Sequence, residues 1–257
     1  MSAKLFSMNN PKANITNPIL FDASCSGIQH IAALTLEKEL ASNVNVYTES
    51  SNPKNEYPQD FYTYALDKIR ANLIKSDILE LRDIRLNRKI IKRSVMTIPY
   101  NISMGGIGEQ LMEHFKNTIV LKYRYVEIPG NATSSGNSVF LNSSQYGHLC
   151  KIIYNVLTKE LPSLRMLSDY FYNMIKVFVK LNIPITWVTP SGLKIKYTNI
   201  KFKSTKVKAN ILNTSKVTTI KLPTDSLDIL STKRSFMPNF IHSLDASNVH
   251  LLLNSVS

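Results

Sequence analysis

The sequence predicts an α+β protein in which helices dominate the first two thirds and a hairpin and a further helix follow. Three observations lead to this prediction. Apolar residues recur at helical spacing in several segments before residue 181, they alternate with polar residues over 184–213, and helical spacing returns over 236–256. The chain has 257 residues, 44% of them hydrophobic, so it can bury a core as one large domain or two small ones.

The charge balance indicates a polyanionic partner. Lys and Arg number 31 against 18 Asp and Glu, which gives a net charge of +13 and favours nucleic acid. A basic housekeeping protein is the alternative, and the abundance of Asn, Lys and Ile, typical of A/T-rich coding, can itself raise the lysine count. The two cysteines indicate neither a disulfide framework nor a zinc site, so we expect a reducing compartment.

No membrane or targeting segment is visible. No window reaches the roughly 18 consecutive apolar residues of a membrane span. The N-terminus has neither the apolar core of a signal peptide nor an Arg-rich import signal, so a protein of an organelle would be made inside it.

The first predicted elements surround an acidic residue. Residues 1–17 are polar and expected to be loose, and the apolar run 18–24 predicts a buried strand that ends at Asp22. A helix is predicted over 26–40 with Ser26 as its N-cap. Residues 42–58 predict a loop in which 44–47 could form a short strand.

Helices are predicted through the middle of the chain. The helix at 59–74 should bury one side, formed by Phe61, Tyr64, Ala65, Ile69 and Leu73. The next pattern, 77–98, is dense in Arg and Lys and should end or kink at Pro99. The later elements are a Gly-rich turn and helix within 101–115, a loop at 129–138, helices at 149–161 and 163–181 with Pro162 opening the second, a hairpin with one Lys-rich face at 184–213, and a helix at 236–256 after Pro238.

A stripe of functional residue types runs along the basic helix. Arg88, Lys92, Met96 and Tyr100 are each four residues apart, so they follow one slowly turning face. Two cations suit a triphosphate, and the aromatic ring suits a sugar or base at its end. A solvated basic helix capped by a tyrosine explains the same spacing.

Two other segments carry candidate ligands. Asp22 at a strand end, followed by small residues, could present its carboxylate and nearby carbonyls to Mg²⁺, or it could cap the next helix. His242 and Asp245 lie three apart in a helical pattern, with His250 beyond. Their spacing matches no zinc signature, so a histidine paired with Asp245 in a core helix is favoured over a metal site.

Three of these segments together resemble the single-subunit, phage-type RNA polymerases, including the mitochondrial enzymes. They are DASCSGIQHIAA, KRSVMTIPYN and PNFIHSLDASNV, in this order, with ITWVTPSG adding to the match. The resemblance covers residues 18 to 253. The branch of fungal mitochondrial linear plasmids is the most similar, because Asn101 stands where phage members carry glycine.

The resemblance implies roles for individual residues. Asp22 would be the first of two catalytic aspartates that hold a pair of Mg²⁺ ions, with the carbonyl of Ala23 as a further ligand. Lys92 would be catalytic through its contact with the incoming triphosphate, beside Arg88. Tyr100 would lie at the sugar and template-base end of the nucleotide and help to exclude deoxyribose, and His242 would lie near it on the minor-groove side of the substrate. Arg93 and Met96 complete the implied nucleotide-binding face.

The resemblance also implies an architecture and partners. Residues 18–58 and 184–257 would form parts of a right-hand palm, and 59–183 a mainly helical fingers subdomain. The partners would be template DNA, RNA product, ribonucleoside triphosphates and the remaining parts of a polymerase, in the mitochondrial matrix, encoded by the organelle or a plasmid. The family's second catalytic aspartate follows the PNFIHS helix, and this sequence ends at Ser257 before it. We therefore expect a fragment of the catalytic core that is inactive alone. The alternatives are a fragment that binds nucleic acid or nucleotide without chemistry, and a gene remnant.

Overall fold

The structure is a computed structural model that describes residues 25–48, 58–120, 122–159, 161–211 and 214–256. It is α+β, as predicted. The helices are α1 (Ser26–Thr35), α2 (Lys38–Asn43), α3 (Phe61–Ile74), α4 (Leu79–Arg82), α5 (Arg88–Thr97), α6 (Met104–Leu111), α7 (Ser143–Lys159), α8 (Pro162–Lys180) and α9 (Ile229–Val256). The strands are β1 (Lys116–Val120), β2 (Tyr123–Ile128), β3 (Val139–Asn142), β4 (Ile185–Val188), β5 (Lys194–Tyr197), β6 (Ile200–Ile211) and β7 (Thr214–Leu227).

The main core lies among the helices of the first two thirds of the chain. Helix α3 begins after Asp60, whose carboxylate accepts a hydrogen bond from the Tyr62 amide and so caps the helix. Ala65, Ile69 and Leu73 recur every four residues and are fully buried. They pack in one cluster with apolar side chains of α1, α5, α6 and α7. The predicted buried side is thus confirmed for these residues and Phe61, whereas Tyr64 is only partly buried.

The predicted basic helix is interrupted. Residues 77–98 contain the short α4 and then α5, which begins at Arg88 because the side chain of Asn87 accepts a hydrogen bond from the Ile90 amide. The segment between the helices buries Ile84 and Leu86, and Ile84 pairs with Thr133 as an isolated β-bridge. This burial outweighs helix propensity there. The predicted stop at Pro99 is confirmed, since Ile98–Tyr100 forms a 3₁₀ turn.

Three local predictions near the start of the described chain are wrong. Cys25, in a left-handed conformation, is the N-cap of α1, and Ser26 is the first helical residue. The helix ends at Thr35, because Leu36 is also left-handed, and α2 continues separately. Residues 44–47 form turns and extended chain rather than a strand. The predicted strand 18–24 and the segment 1–17 lie outside the described residues.

A three-stranded antiparallel sheet, β1–β2–β3, was not predicted. Val126 pairs with Leu141 and both are buried against the main core. The connection from β2 to β3 contains a 3₁₀ turn at Gly130–Ala132. A Cβ at Gly130 would lie 2.0 Å from the carbonyl oxygen of Gly136, so only glycine allows this loop to close. The predicted helices 149–161 and 163–181 are present as α7 and α8, and Pro162 opens α8.

The predicted single hairpin is two hairpins. Strands β4 and β5 pair across the Pro-Ser-Gly turn, with the Thr189 amide bonded to the Leu193 carbonyl. The longer strands β6 and β7 form a two-stranded ribbon. On this ribbon Lys206, Lys208 and Lys221 share one face, because they occupy positions of the same alternation.

Helix α9 is longer than predicted. It begins at Ile229 rather than after Pro238, and Pro238 lies inside it. Phe236 and Phe240 of α9 pack with Phe171 and Trp187 in a second aromatic cluster. Burial of these rings on both sides of the proline explains why the helix continues through it. Among the described residues, no helix has the length and apolarity needed to cross a membrane.

Candidate nucleotide-binding site

Helix α5 is amphipathic in the way that the four-residue stripe requires. Ile90, Ile91 and Val95 face the core, while Arg88, Lys92 and Met96 are exposed. The stripe continues into the 3₁₀ turn, where Tyr100 is partly buried. The helix therefore presents the predicted cations and the methionine to solvent and leads to the predicted ring.

The two cations of the stripe lie beside a tyrosine that the sequence did not indicate. The Arg88 guanidinium carbon lies 5.0 Å from the centroid of the Tyr62 ring, and the Lys92 ammonium lies 5.7 Å from it. Tyr62 is buried at the start of α3. Burial, followed by a hydrogen bond with the Cys25 thiol, raises the pKa of Tyr62, so its hydroxyl stays protonated.

Arg88 and Lys92 differ in their partners. Arg88 Nε donates to Asp60 Oδ2 at 2.6 Å, and this hydrogen bond is the main reason why the pKa of Asp60 is lowered. Lys92 forms no ion pair within the described part of the chain. Its ammonium is therefore the more accessible of the two charges for an anionic ligand.

Arg93 points to a different neighbour. Its guanidinium forms an ion pair with Glu113, just beyond α6, and both side chains are about half exposed. The structure thus does not bring Arg93 to the Tyr62 side of the helix, although it follows Lys92 in sequence.

The end of the stripe meets helix α9. The rings of Tyr100 and His242 are stacked, with centroids 4.8 Å apart and an angle of 26° between their planes. The pKa of Tyr100 is raised, first by burial and then by the negative charge of Asp245, against a hydrogen bond with Ser26. Tyr100 therefore keeps its hydroxyl proton at neutral pH.

A cavity of about 160 Å³ joins the start of α1 to the stripe. Its lining residues are Cys25, Ser26, Gly27, Ile28, Tyr62, Met96, Pro99 and Tyr100. Gly27 allows this approach, since a Cβ there would lie 3.1 Å from Pro99 Cβ and 3.3 Å from the Tyr100 hydroxyl. Three distant sequence segments thus meet around one concave surface.

The predicted metal ligands precede α1 in the sequence. Asp22 and Ala23 lie outside the described residues, three and two positions before Cys25 in sequence. Within the described residues, no group of three His, Cys, Asp or Glu side chains could hold a metal ion. His250 lies apart, at another cavity with Ser191 and Leu253.

Several residues at the site escaped the sequence analysis. Asp60 had a visible signal, because an acid directly before an amphipathic helix is a typical N-cap. Tyr62 and His30 had none, since each contacts residues far away in sequence. The pairing of Asp245 with a histidine was expected, but its 3.0 Å partner is His30 of α1 rather than His242, whose Nδ1 lies 3.8 Å away.

Comparison with known proteins decides the family. The family model described as DNA-dependent RNA polymerase matches residues 2–257. The chain belongs to this family. The resemblance to the single-subunit, phage-type polymerases is thereby confirmed at the family level, and every segment described above falls within the match.

Individual relatives of this polymerase chain are similar along its length. A probable DNA-directed RNA polymerase of Agaricus bitorquis is 82% identical over 257 residues, all of this chain and 23% of the relative. One of Neurospora crassa is 31% identical over 93% of this chain and 27% of the relative. DNA-directed RNA polymerase 1, mitochondrial, of Arabidopsis thaliana is 28% identical over 96% of this chain and 24% of the relative. The chain spans about a quarter of the length of these relatives.

Proposed function

We propose that this chain forms the nucleotide-binding core of a DNA-directed RNA polymerase. The reaction would be attack of an RNA 3′ hydroxyl on the α-phosphate of a ribonucleoside triphosphate, with pyrophosphate leaving. The observation that supports this proposal is the cavity that joins the start of α1 to Met96 and Tyr100 of the stripe, together with the stacking of Tyr100 on His242. These are parts of the three segments that carry the resemblance.

The residues divide into a phosphate end and a sugar end. Lys92 supplies a positive charge without a competing carboxylate among the described residues, so it would bind the triphosphate. Arg88 would assist after exchanging Asp60 for a phosphate. Met96 and the Tyr100–His242 pair would contact the sugar, while Arg93 would act there only after leaving Glu113.

The proposal includes Mg²⁺ and the palm-and-fingers division. Asp22 and the Ala23 carbonyl would be the ligands from this chain, because hard oxygen donors suit this ion. A pair of such ions, when bound, supplies the charge that stabilises the attacking and leaving oxygens of phosphoryl transfer. Residues 59–183 would be the fingers, and 18–58 with 184–257 would be parts of the palm.

The partners would be template DNA and RNA product. The net charge of +13 favours a polyanion. The β6–β7 ribbon adds a local surface, since Lys206, Lys208 and Lys221 are exposed on one face. The name of the Arabidopsis relative favours transcription in mitochondria, which we extend to the matrix and to an organelle- or plasmid-encoded gene.

Binding of ATP by the purified chain tests the phosphate end. Trp187 is the single tryptophan and donates a hydrogen bond to Ser243, next to His242, so its fluorescence should report ligand binding. We expect Lys92→Ala to weaken ATP binding roughly tenfold, because one charge-assisted contact is lost. Lys89→Ala removes the same charge from an exposed position on the same helix but outside the stripe. Equal losses in the two variants would reject the assignment of Lys92.

A second comparison tests the sugar end and the chemistry. Tyr100→Phe keeps the ring and removes only the hydroxyl, so it should reduce the preference for ATP over dATP. An unchanged preference would show that Tyr100 does not contact the sugar. Extension of a primed template, with Mg²⁺ or Mn²⁺, tests for chemistry by the chain alone. Incorporation would identify a polymerase, whereas template retention without incorporation is expected both of an incomplete polymerase core and of a binding module.

A further inference from the structure

Asp245 connects two helices at the sugar end of the proposed site. Its Oδ1 accepts a hydrogen bond from His30 Nε2 of α1 at 3.0 Å, across 215 positions in sequence. Its Oδ2 lies 3.8 Å from Nδ1 of His242, one turn earlier on α9. A single carboxylate thus lies beside two imidazoles, and one of them is stacked on Tyr100.

The remaining polar contacts of this part of α9 lie elsewhere. Ser243 accepts a hydrogen bond from the Trp187 indole, and Ser247 accepts one from the Ser191 amide. These contacts attach α9 to the β4–β5 hairpin. Asp245 attaches the helix to α1 instead, while its neighbour His242 contacts the 3₁₀ turn. Since the hairpin contacts already anchor the helix, the effect of removing Asp245 on the position of the His242 ring can be measured separately.

The cluster is accessible from solvent. The side chain of Asp245 is 30% exposed, that of His30 is 23% exposed and that of His242 is 60% exposed. His242 is therefore exposed on much of its surface, and its polar and ring contacts in the described structure are with Asp245 and Tyr100. Loss of the carboxylate would leave the imidazole able to rotate away from the tyrosine.

We propose that Asp245 is a positioning residue that holds His242 against Tyr100 and ties this pair to α1 through His30. This inference deepens the proposed function, because it assigns to Asp245 an indirect part in the preference for ribonucleotides. Asp245 does not contact the nucleotide in this account. It acts through His242, which distinguishes it from a residue that merely stabilises the fold.

The first test needs no ligand. Stacking on Tyr100 should shift the ring protons of His242 upfield in the NMR spectrum of the full chain. Asp245→Ala should remove most of this shift, and Asp245→Asn, which still offers an oxygen to His30, should restore part of it. Asp169→Asn removes an equal charge from an exposed position on α8 and serves as the control. An unchanged shift in Asp245→Ala would overturn the inference.

The second test uses ATP and dATP with the Trp187 signal. Asp245→Ala should reduce the ratio of the dATP dissociation constant to the ATP dissociation constant by roughly three- to tenfold. This is the range expected if the displaced Tyr100–His242 pair loses one hydrogen bond to the sugar. In the double variant with His242→Ala the ratio should fall no further, because residues that act through one another are not additive. Additive losses, or equal weakening of both nucleotides, would overturn the inference.

The two tests separate this inference from the function on which it rests. If the unaltered chain binds neither nucleotide or shows no preference, the proposed sugar site fails. The NMR comparison still decides whether Asp245 positions His242.

Discussion

Replacement of Gly27 by alanine tests the close approach of the 3₁₀ turn to α1, on which the candidate site depends. The new Cβ would lie 3.1 and 3.3 Å from two atoms of Pro99 and 3.3 Å from the Tyr100 hydroxyl. These distances are shorter than ordinary contacts, so the turn must move by a few tenths of an ångström. Overpacking of this kind costs about 1–3 kcal/mol. The loss of glycine flexibility in the unfolded chain offsets about 0.4–1 kcal/mol.

The net expectation for Gly27→Ala is a loss of about 1 kcal/mol in the free energy of unfolding. Urea denaturation followed by Trp187 fluorescence measures it. Gly147→Ala is the matched control, because Gly147 lies within α7 and a Cβ there meets nothing within 4 Å. That variant should gain up to about 1 kcal/mol from helix propensity. The reasoning is refuted if both alanines stabilise the protein, because this result would show that a Cβ at Gly27 meets no more resistance than one at Gly147.

Three further predictions concern Asp60, Cys150 and the ribbon. Asp60→Ala should cost about 1–2 kcal/mol of unfolding free energy and Asp60→Asn under about 1, because Asn keeps the helix cap and loses only the partly exposed ion pair. Because the folded pKa of Asp60 is lowered, its ion-pair contribution to stability should be complete above the ordinary pKa of 3.8 and disappear as pH falls through the lower folded value. Denaturation across pH 2–5 measures the stability that each variant loses relative to the unaltered protein. A loss that stays the same for both variants throughout this range would contradict the prediction. Burial raises the pKa of Cys150 to about 11 from 9.0. At pH 8 the alkylation of this thiol, followed by mass spectrometry, should therefore be about a hundredfold slower in the folded chain than in the urea-unfolded chain. Equal rates would show that the thiol is not buried. Replacement of Lys206, Lys208 and Lys221 by alanine should reduce the slope of log K for DNA binding against log salt concentration by about 2–3. Replacement of the exposed Lys116, Lys151 and Lys180 should leave this slope nearly unchanged. A similar change in both sets would exclude a specific role for the ribbon.

Much of the helical structure was predictable because its causes are local. The four-residue recurrence of buried residues in α3 and Pro162 at the start of α8 both act within a few positions of the chain. The cap at Asp60 is equally local, although the helix was predicted to start at residue 59. The stripe from Arg88 to Tyr100 was predictable for the same reason, since helix geometry alone brings residues four apart to one face. The family was also evident, because three specific segments occur in order.

Three of the failures of prediction share a non-local cause. The break before α5 depends on burial of Ile84 and Leu86 and on a bridge to Thr133, about fifty positions away. The β1–β3 sheet is stabilised by burial of Val126 and Leu141 against the core, and its short strands carry little pattern of their own. Helix α9 continues through Pro238 because rings on both sides of it are packed against α8 and β4.

The sequence by itself determined the family, the α+β class, the basic character and the line of candidate side chains along one helix. Only the tertiary structure decided which of these side chains are available and what they face. It paired Arg88 with Asp60 and Arg93 with Glu113, placed Lys92 beside Tyr62, and brought His30 to Asp245 and His242 to Tyr100. The physical reason is that ion pairs, ring stacking and shared cavities depend on distances in space, whereas a sequence pattern specifies only neighbours along a helix or strand.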